Sequence, residues 1–361
     1  MKIVHIVEAS ATGTLSMLRL LANRQADCGD DVEIIYSLRP ESPPDFENIF
    51  DQKIVFTKLQ MLTHFQKALS IYRLRSHLAR SYADIVFMHS SFAGFIGRLS
   101  SLGICADCKF FYLPHCISFM RKDIGVFKSF IFIFLEWVAC IKPSVYIACS
   151  PSEREVIKSK IPFRNCELVV NAVDVDEWPN NNPLKLRRCR VITVGSIRPQ
   201  KRPDIFASIC KEINKNAHFS EFVWVGDGDE LLKKKLEDAG VIVTGWKGKN
   251  DVSELLNSSS IYLSTASWEG LPVSIIEAML SGCLVVASSC QGNIDIVTDG
   301  NGYTFKTVDE AVNIINESFK FDKDSVDLIE ESRKRAMQFY SIERYASEMK
   351  DLVDKYSLSD Y

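Results

Sequence analysis

The sequence predicts an α/β protein of two parallel-sheet domains, and three observations carry that prediction. Short apolar runs alternate with amphipathic helical stretches along most of the 361 residues, the pattern of a parallel sheet covered on both faces. The alternation stops at V-D-E-W-P-N-N-N-P-L-K, residues 175–185, where two prolines and three asparagines read as a linker, and then starts again. The length suits two domains of ordinary size. The expected division is therefore 1–172, a linker at 173–185, a second domain at 186–341 and a C-terminal helical segment at 342–361.

Taken in order, the first half offers strands at residues 3–7, 32–36, 53–56, 85–89, 109–113, 145–149 and 168–170, with helices at 17–26 and 68–81. The second half offers strands at 191–194, 222–225, 242–244, 261–263 and 284–287. The opening M-K-I-V-H-I-V-E reads as a first strand and not a signal peptide, because its apolar run is short and holds His5 and Glu8. Residues 124–141 are aromatic-rich and 18 residues long, at the lower edge for a spanning helix. Lys128 and Glu136 interrupt them, so a buried or surface-docking helix is expected, with Arg121 and Lys122 placed for peripheral attachment to a membrane. The tail, residues 342–356, is amphipathic, with Tyr345, Met349, Leu352, Val353 and Tyr356 on one stripe.

Composition is globular, 47% hydrophobic and 25% charged, and the net charge of -3 carries no nucleic-acid signature. Residues 1–170 hold 20 Lys+Arg against 16 Asp+Glu, or +4, and the remainder holds 23 against 30, or -7. A mildly basic first half suits an anionic membrane surface or a pyrophosphate-bearing acceptor, and equally an ordinary solvated surface. The eleven cysteines form no spaced framework, and Cys105-x2-Cys108 lacks the second pair that a zinc site needs. A reducing cytoplasm is the simpler expectation.

The chemistry concentrates in residues 264–282, S-T-A-S-W-E-G-L-P-V-S-I-I-E-A-M-L-S-G. Pro272 stands where a helix begins, Gly282 where it stops. Glu269 then lies in a loop above a strand and Glu277 on the helix little more than one turn in. Gly270 allows a close approach of backbone to ligand. A helix start attracts anions, so two acids beside it suit a ligand with both phosphates and hydroxyls, such as a sugar nucleotide. In T-V-G-S-I-R-P-Q-K-R-P, residues 193–203, a strand ends, Gly195 turns the chain and Lys201 precedes a helix. A basic side chain there can neutralise charge on a departing diphosphate.

The spacing Glu269-x7-Glu277, with W-E-G-L-P before and E-A-M after, resembles the signature of retaining glycosyltransferase family 4. The resemblance implies the GT-B fold, two facing Rossmann-like domains with an interdomain cleft, with the last helix crossing back to the first domain. It implies that Lys201 grips the donor diphosphate, that Glu277 holds the ribose hydroxyls, and that Glu269 and the amides of Gly270, Leu271 and Val273 meet the transferred sugar. The family's usual Arg is Ser196 here, with Arg198 as a substitute two residues on. P-H-C-I-S-F resembles the family's strand-end Pro-His motif, which brings His115 near the donor sugar; His89, in M-H-S-S-F-A-G, resembles an acceptor-side segment. The first strand–helix turn keeps only Gly13 of the family's Gly-Gly pair. Gly226-Asp227-Gly228-Asp229 holds a D-x-D that binds a divalent metal in other glycosyltransferases, but it reads as a Gly-rich turn, and no metal or other cofactor is expected. Thr244-Gly245-Trp246 resembles the loop that frames the base, against which Trp246 would pack, the alternative being an exposed interfacial Trp. Arg73, Arg75, His77 and Arg80 are spaced so that all four cannot share one helix face.

The resemblance, carried also by P-H-x-x-S-F, S-P-S-E and V-G-S-I-x-P-Q-K as in family members that build bacterial surface polysaccharides, implies a cytoplasmic enzyme, at the inner face of the membrane, that moves a sugar from a UDP-sugar to an undecaprenyl-diphosphate-linked glycan with retention, in surface-polysaccharide or O-antigen synthesis. An N-acetylhexosamine such as GalNAc or GlcNAc is the expected sugar. The rivals are a GT-B sugar-nucleotide epimerase or hydrolase, and a non-catalytic nucleotide-sugar-binding protein.

Overall fold

The structure, a computed structural model, describes residues 1–8, 12–39, 41–43, 45–61, 64–179, 188–215, 221–320 and 322–357. The chain divides into two compact units, Met1–Asn171 with Glu343–Tyr361, and Ala172–Ile342.

The first unit runs β1 (Lys2–Val7), α1 (Thr12–Asp27), β2 (Asp31–Tyr36), β3 (Val55–Lys58), α2 (His64–Ser81), β4 (Ile85–His89), α3 (Ser91–Ser100), β5 (Lys109–Leu113), α4 (Val126–Ala139), β6 (Val145–Ala148), α5 (Pro151–Lys160) and β7 (Cys166–Leu168). Its seven strands pair in parallel in the order β3-β2-β1-β4-β5-β6-β7. Alternate residues of a strand face opposite ways, so Ile35 packs with Leu74 and Leu78 of α2, while Ile34 and Tyr36 pack with Leu18 and Ala22 of α1. Both faces are thus buried. The strand expected at 53–56 begins two residues late. Asp51 accepts from the Lys53 and Ile54 amides, which holds that stretch in a turn.

The second unit runs β8 (Arg188–Val194), α6 (Pro203–Asn214), β9 (Glu221–Val225), α7 (Glu230–Glu237), β10 (Ile242–Val243), α8 (Lys249–Asn257), β11 (Ser259–Ser264), α9 (Val273–Leu280), β12 (Leu284–Ser288), β13 (Tyr303–Phe305), α10 (Val308–Ser318) and α11 (Lys323–Phe339). All six strands are parallel, in the order β10-β9-β8-β11-β12-β13. The order reverses between β8 and β11. Open sheets of this kind bind ligands beyond the carboxyl ends of the strands at such a switch point. The segment expected as a linker starts inside this unit: Val173 pairs with Ser341, and Trp178, after a 3-10 turn at Val175–Glu177, is buried. Residues 180–185 of it lie outside the described residues.

The last helix, α12 (Ile342–Ser357), returns to the first unit. It buries Tyr345, Met349, Val353 and Tyr356, and the Tyr356 hydroxyl donates to Glu167 Oε1 of β7 at 2.6 Å. Arg344 donates to the Val170 carbonyl at 2.7 Å.

The aromatic segment forms α4, whose two sides differ sharply. Inward, Glu136 accepts from the fully buried Arg98 of α3 at 2.7 Å, from Tyr146 at 2.9 Å and from Tyr112 at 3.1 Å. Removing one member of a buried charged pair costs about 3–5 kcal/mol, so this anchor fixes which side faces in. Outward, Val126, Phe127, Phe130, Ile131, Phe134 and Trp137 are all exposed. Among the described residues no helix is long and apolar enough to cross a membrane.

Candidate functional site

At the switch point of the second sheet, the loops after β8 and β11 are stitched together. Thr265 donates to the Lys201 carbonyl at 2.7 Å, the Ser267 amide to the Gln200 carbonyl at 2.8 Å, and the Gln200 amide group to the Trp268 carbonyl at 2.8 Å. This frame brings Lys201 Nζ to 2.7 Å from Glu269 Oε1, while Gln200 donates to the other carboxylate oxygen at 3.2 Å. Burial alone would lower the Lys201 pKa, but the Glu269 carboxylate outweighs it and holds the ammonium above its ordinary value. The lysine is a fixed cation.

Two glycines make the room. A Cβ on Gly195 (φ +151) would press on the Lys201 side chain at 3.2 Å. One on Gly292 (φ +88) would sit 2.6 Å from the Glu269 carbonyl oxygen, closer than any side chain tolerates, so the backbone of the Glu269 loop lies directly against residue 292. The Glu269 amide donates to the Gln291 carbonyl at 3.0 Å.

Helix α9 starts one residue after the expected proline: Pro272 is its N-cap, and no side chain caps it. A proline side chain cannot supply the capping oxygen; the Ile275 amide donates to the Pro272 carbonyl at 3.1 Å, which leaves the amides of Val273 and Ser274 for an outside acceptor. Gly270, Leu271 and Val273, the expected amide donors, are all buried in this turn. Glu277 lies a turn on. Burial pushes its carboxyl up to about 7, against the opposing pull of Lys249 and Lys201. It has no hydrogen-bonding partner among the described residues.

Other expected positions are more peripheral. Ser196 is buried, and Arg198, four residues past the end of β8, is the exposed and extended N-cap of the 3-10 turn Pro199–Lys201. It is close enough to oppose the charge on Lys201. Trp246 follows Gly245 (φ +71) and is half exposed. The D-x-D pair has local partners: Asp227 meets Lys233 at 3.1 Å, and Asp229 caps α7 by accepting from the Leu232 amide at 3.0 Å. Among the described residues no group of three or more metal-ligating side chains is found.

In the first unit, period-two alternation puts His5 of β1 and His89 of β4 on one face. The parallel register sets Val7 beside His89 and His89 beside Leu113. His115, two residues past Leu113, joins them: His5 Nδ1 lies 3.0 Å from His89 Nε2, and His89 Nδ1 lies 3.1 Å from His115 Nε2. Burial lowers all three, His5 and His115 to about 4, so the rings are neutral at pH 7. His115 and Cys116 take left-handed φ values of 52° and 93°, a strained pair. Glu153 holds it in place, accepting from the Cys116 and Ile117 amides and, with its other oxygen, from the Cys149 amide, each at 2.8 Å. Gly13 lies in the first turn of α1; residues 9–11 of that loop lie outside the described residues. Arg73, His77 and Arg80 line a cavity of about 230 Å³, whereas Arg75 turns to the Ser100 and Leu102 carbonyls.

Sequence reasoning missed Gln200, Glu153, His5 and Gln25. Glu153 sits in S-P-S-E, which carries a capping signal because Ser150 caps α5, but nothing in that spacing reveals that its carboxylate clamps a loop 36 residues away. His5 shows no ligand spacing in the sequence, since its partners are 84 and 20 residues away in the chain.

Two family profiles match this chain: Glycosyltransferase Family 4 over residues 12–177 and Glycosyl transferases group 1 over residues 188–318. The UDP-Gal:alpha-D-GlcNAc-diphosphoundecaprenol alpha-1,3-galactosyltransferase of Escherichia coli is 26% identical over 341 residues, 84% of this chain and 82% of its own. An uncharacterized 41.2 kDa protein in the cps region of Klebsiella pneumoniae is 24% identical over 313 residues, 83% of this chain and 84% of its own. Among solved structures, Anabaena HepE in complex with UDP and glucose has a TM-score of 0.80 at 16% identity, covering 98% of this chain and 99% of its own. With glycosyltransferase profiles on both halves and two parallel sheets each reversing their strand order, the chain belongs to the GT-B glycosyltransferases, a family 4 domain followed by a group 1 domain.

Proposed function

We propose that this enzyme is a retaining glycosyltransferase that moves a hexose or N-acetylhexosamine from a UDP-sugar to an undecaprenyl-diphosphate-linked glycan in bacterial surface-polysaccharide synthesis. The observation that carries the reading is the fixed Lys201 ammonium beside an uncapped helix start, with the unpartnered Glu277 carboxyl one turn on. Cation and helix start suit a diphosphate; a carboxylate without a partner suits a ribose diol. Support for UDP and for the lipid-linked acceptor comes from the names of HepE and of the E. coli relative.

In this reading the bond between the anomeric carbon and the diphosphate oxygen breaks, and Lys201 with the α9 amides takes up the charge that develops there. The acceptor hydroxyl bonds to the anomeric carbon on the same face and gives its proton to an oxygen of the leaving diphosphate, so configuration is retained. Glu269 is already engaged by Lys201 and Gln200, which argues against a free carboxylate nucleophile and a covalent intermediate. Lys201, Glu277 and the helix start handle the donor without a metal, and Asp227 and Asp229 keep their structural partners.

The test is a screen of labelled UDP-sugars with membrane lipid extract, following label into the organic phase. Transfer from one donor, with the α-linkage kept, supports the reading. Free or epimerised sugar without acceptor would select a hydrolase or epimerase, and binding without turnover a non-catalytic protein.

We place the enzyme at the cytoplasmic face of the membrane. The outer side of α4 presents Phe127, Phe130, Phe134 and Trp137, with Phe163 edge-on to Trp137 at 5.5 Å, and Lys128 exposed among them. The acids of this segment are taken: Glu136 by Arg98, and Asp123 by Arg121 at 2.7 Å. Aromatic rings in a basic setting suit the interface of an anionic bilayer. Vesicles with phosphatidylglycerol should sediment the protein and neutral vesicles much less. The Phe130→Ser/Phe134→Ser variant should lose at least ten-fold in vesicle affinity while keeping its unfolding midpoint. Equal binding by variant and wild type would remove this placement.

A further inference from the structure

The histidine line of the first unit has a fixed direction. Its far end is Gln25 of α1, whose Oε1 lies 2.7 Å from His5 Nε2. A carbonyl oxygen only accepts, so His5 Nε2 carries the hydrogen. A neutral imidazole has one N–H, which leaves His5 Nδ1 bare to accept from His89 Nε2–H at 3.0 Å. His89 Nδ1 is then bare in turn and accepts from His115 Nε2–H at 3.1 Å. The line ends on His115 Nδ1, a buried atom with no hydrogen-bond partner among the described residues. The rings meet edge to edge through these bonds, with centroids 5.3 Å apart for His5 and His89 and 5.4 Å for His89 and His115, and the face of His5 lies against Phe87 at 5.1 Å, so the buried line is held in place.

We propose that Gln25, His5 and His89 are positioning residues that lock His115 in its Nε2–H tautomer, making Nδ1 an obligate acceptor for a substrate hydroxyl or amide N–H. An amide cannot take up a proton, so the line orients His115 and does not conduct protons. A lone pair at Nδ1 repels phosphate and carboxylate oxygens and welcomes a sugar hydroxyl or an acetamido N–H. The chemical class of the ligand rests on the glycosyltransferase reading above; the tautomer does not.

The two are separable by experiment. In full-length protein labelled with nitrogen-15 at histidine, long-range proton–nitrogen spectra should show His115 Nδ1 bare and Nε2 protonated. Gln25→Met should mix the two tautomers, whereas Gln25→Glu, still an acceptor, should preserve the wild-type pattern. Gln25 is only partly buried, so both variants should fold. Kinetically, Gln25→Met should lower kcat/KM for the UDP-sugar by about 5–30-fold, with Gln25→Glu restoring most of it. In a His115→Phe background Gln25→Met should add no further loss. A protonated Nδ1 in the wild type, or a Gln25→Met variant with unchanged spectra and kinetics, overturns the lock. A confirmed tautomer with His115→Phe fully active would instead overturn the substrate contact alone.

Discussion

Lys201→Met lowers kcat about 10²–10³-fold, equivalent to about 2.7–4 kcal/mol, the usual consequence of removing one preorganised group that meets developing charge. Methionine keeps much of the stem in the space that Gly195 leaves and removes only the ammonium. Donor KM changes far less, because the lost interaction strengthens as the diphosphate departs. The variant also leaves Glu269 buried without its cation, at 10% side-chain exposure, so stability falls as well. Adding Glu269→Gln to Lys201→Met recovers the unfolding midpoint and does not recover turnover. Steady-state transfer assays beside urea titrations separate the two effects. A Lys201→Met enzyme within three-fold of wild type would remove the lysine from the mechanism.

Glu277→Ala raises the donor dissociation constant by about 10–100-fold, in line with about 1.5–3 kcal/mol for hydrogen bonds to a charged group. Here pH gives an independent check. Burial moves this carboxyl from 4.5 to about 7 in the folded, ligand-free enzyme. Only the ionised form accepts from both hydroxyls of a diol, so donor affinity climbs as pH rises through about 7, and Glu277→Gln flattens the climb. Stability runs the other way. A group whose folded pKa is raised contributes fully below 4.5, and its contribution is lost as pH rises to about 7. Glu277→Gln is therefore more stable than wild type at pH 8, by about 2 kcal/mol once the partial exposure of the group is allowed for. Calorimetry with UDP across pH 5.5–8.5 and thermal melts of both proteins measure the two slopes; parallel slopes would show that Glu277 does not face the donor.

Much of the second unit was legible because its signals are local. Pro272 and Gly282 mark the ends of a short helix, and Glu269 and Glu277 take their places from strand–loop–helix spacing alone. The strand runs of both sheets were legible for the same reason, since period-two burial writes apolar residues in sequence. The three-residue β13 left too little pattern, and Asp51 displaced the start of β3 through a side-chain bond that no periodicity records. Trp178 shows the limit of composition: its neighbours read as linker, yet it is buried in the second unit. What sequence could not show is pairing across distance. His5, His89 and His115 look like three scattered histidines, and only the register of β1, β4 and β5 puts them within hydrogen-bond reach.

Helix α12 has a consequence for biosynthesis. Because the final turns of the chain fill the first unit, with Tyr356 against Glu167 across 189 positions, that unit cannot mature when its own first 171 residues leave the ribosome. The intervening unit is contiguous and can fold earlier. A nascent chain that has emerged from the ribosome only as far as Ile342 would carry a complete second unit beside an incomplete first one, with Phe111, which meets Tyr356 edge-on, still open to chaperones.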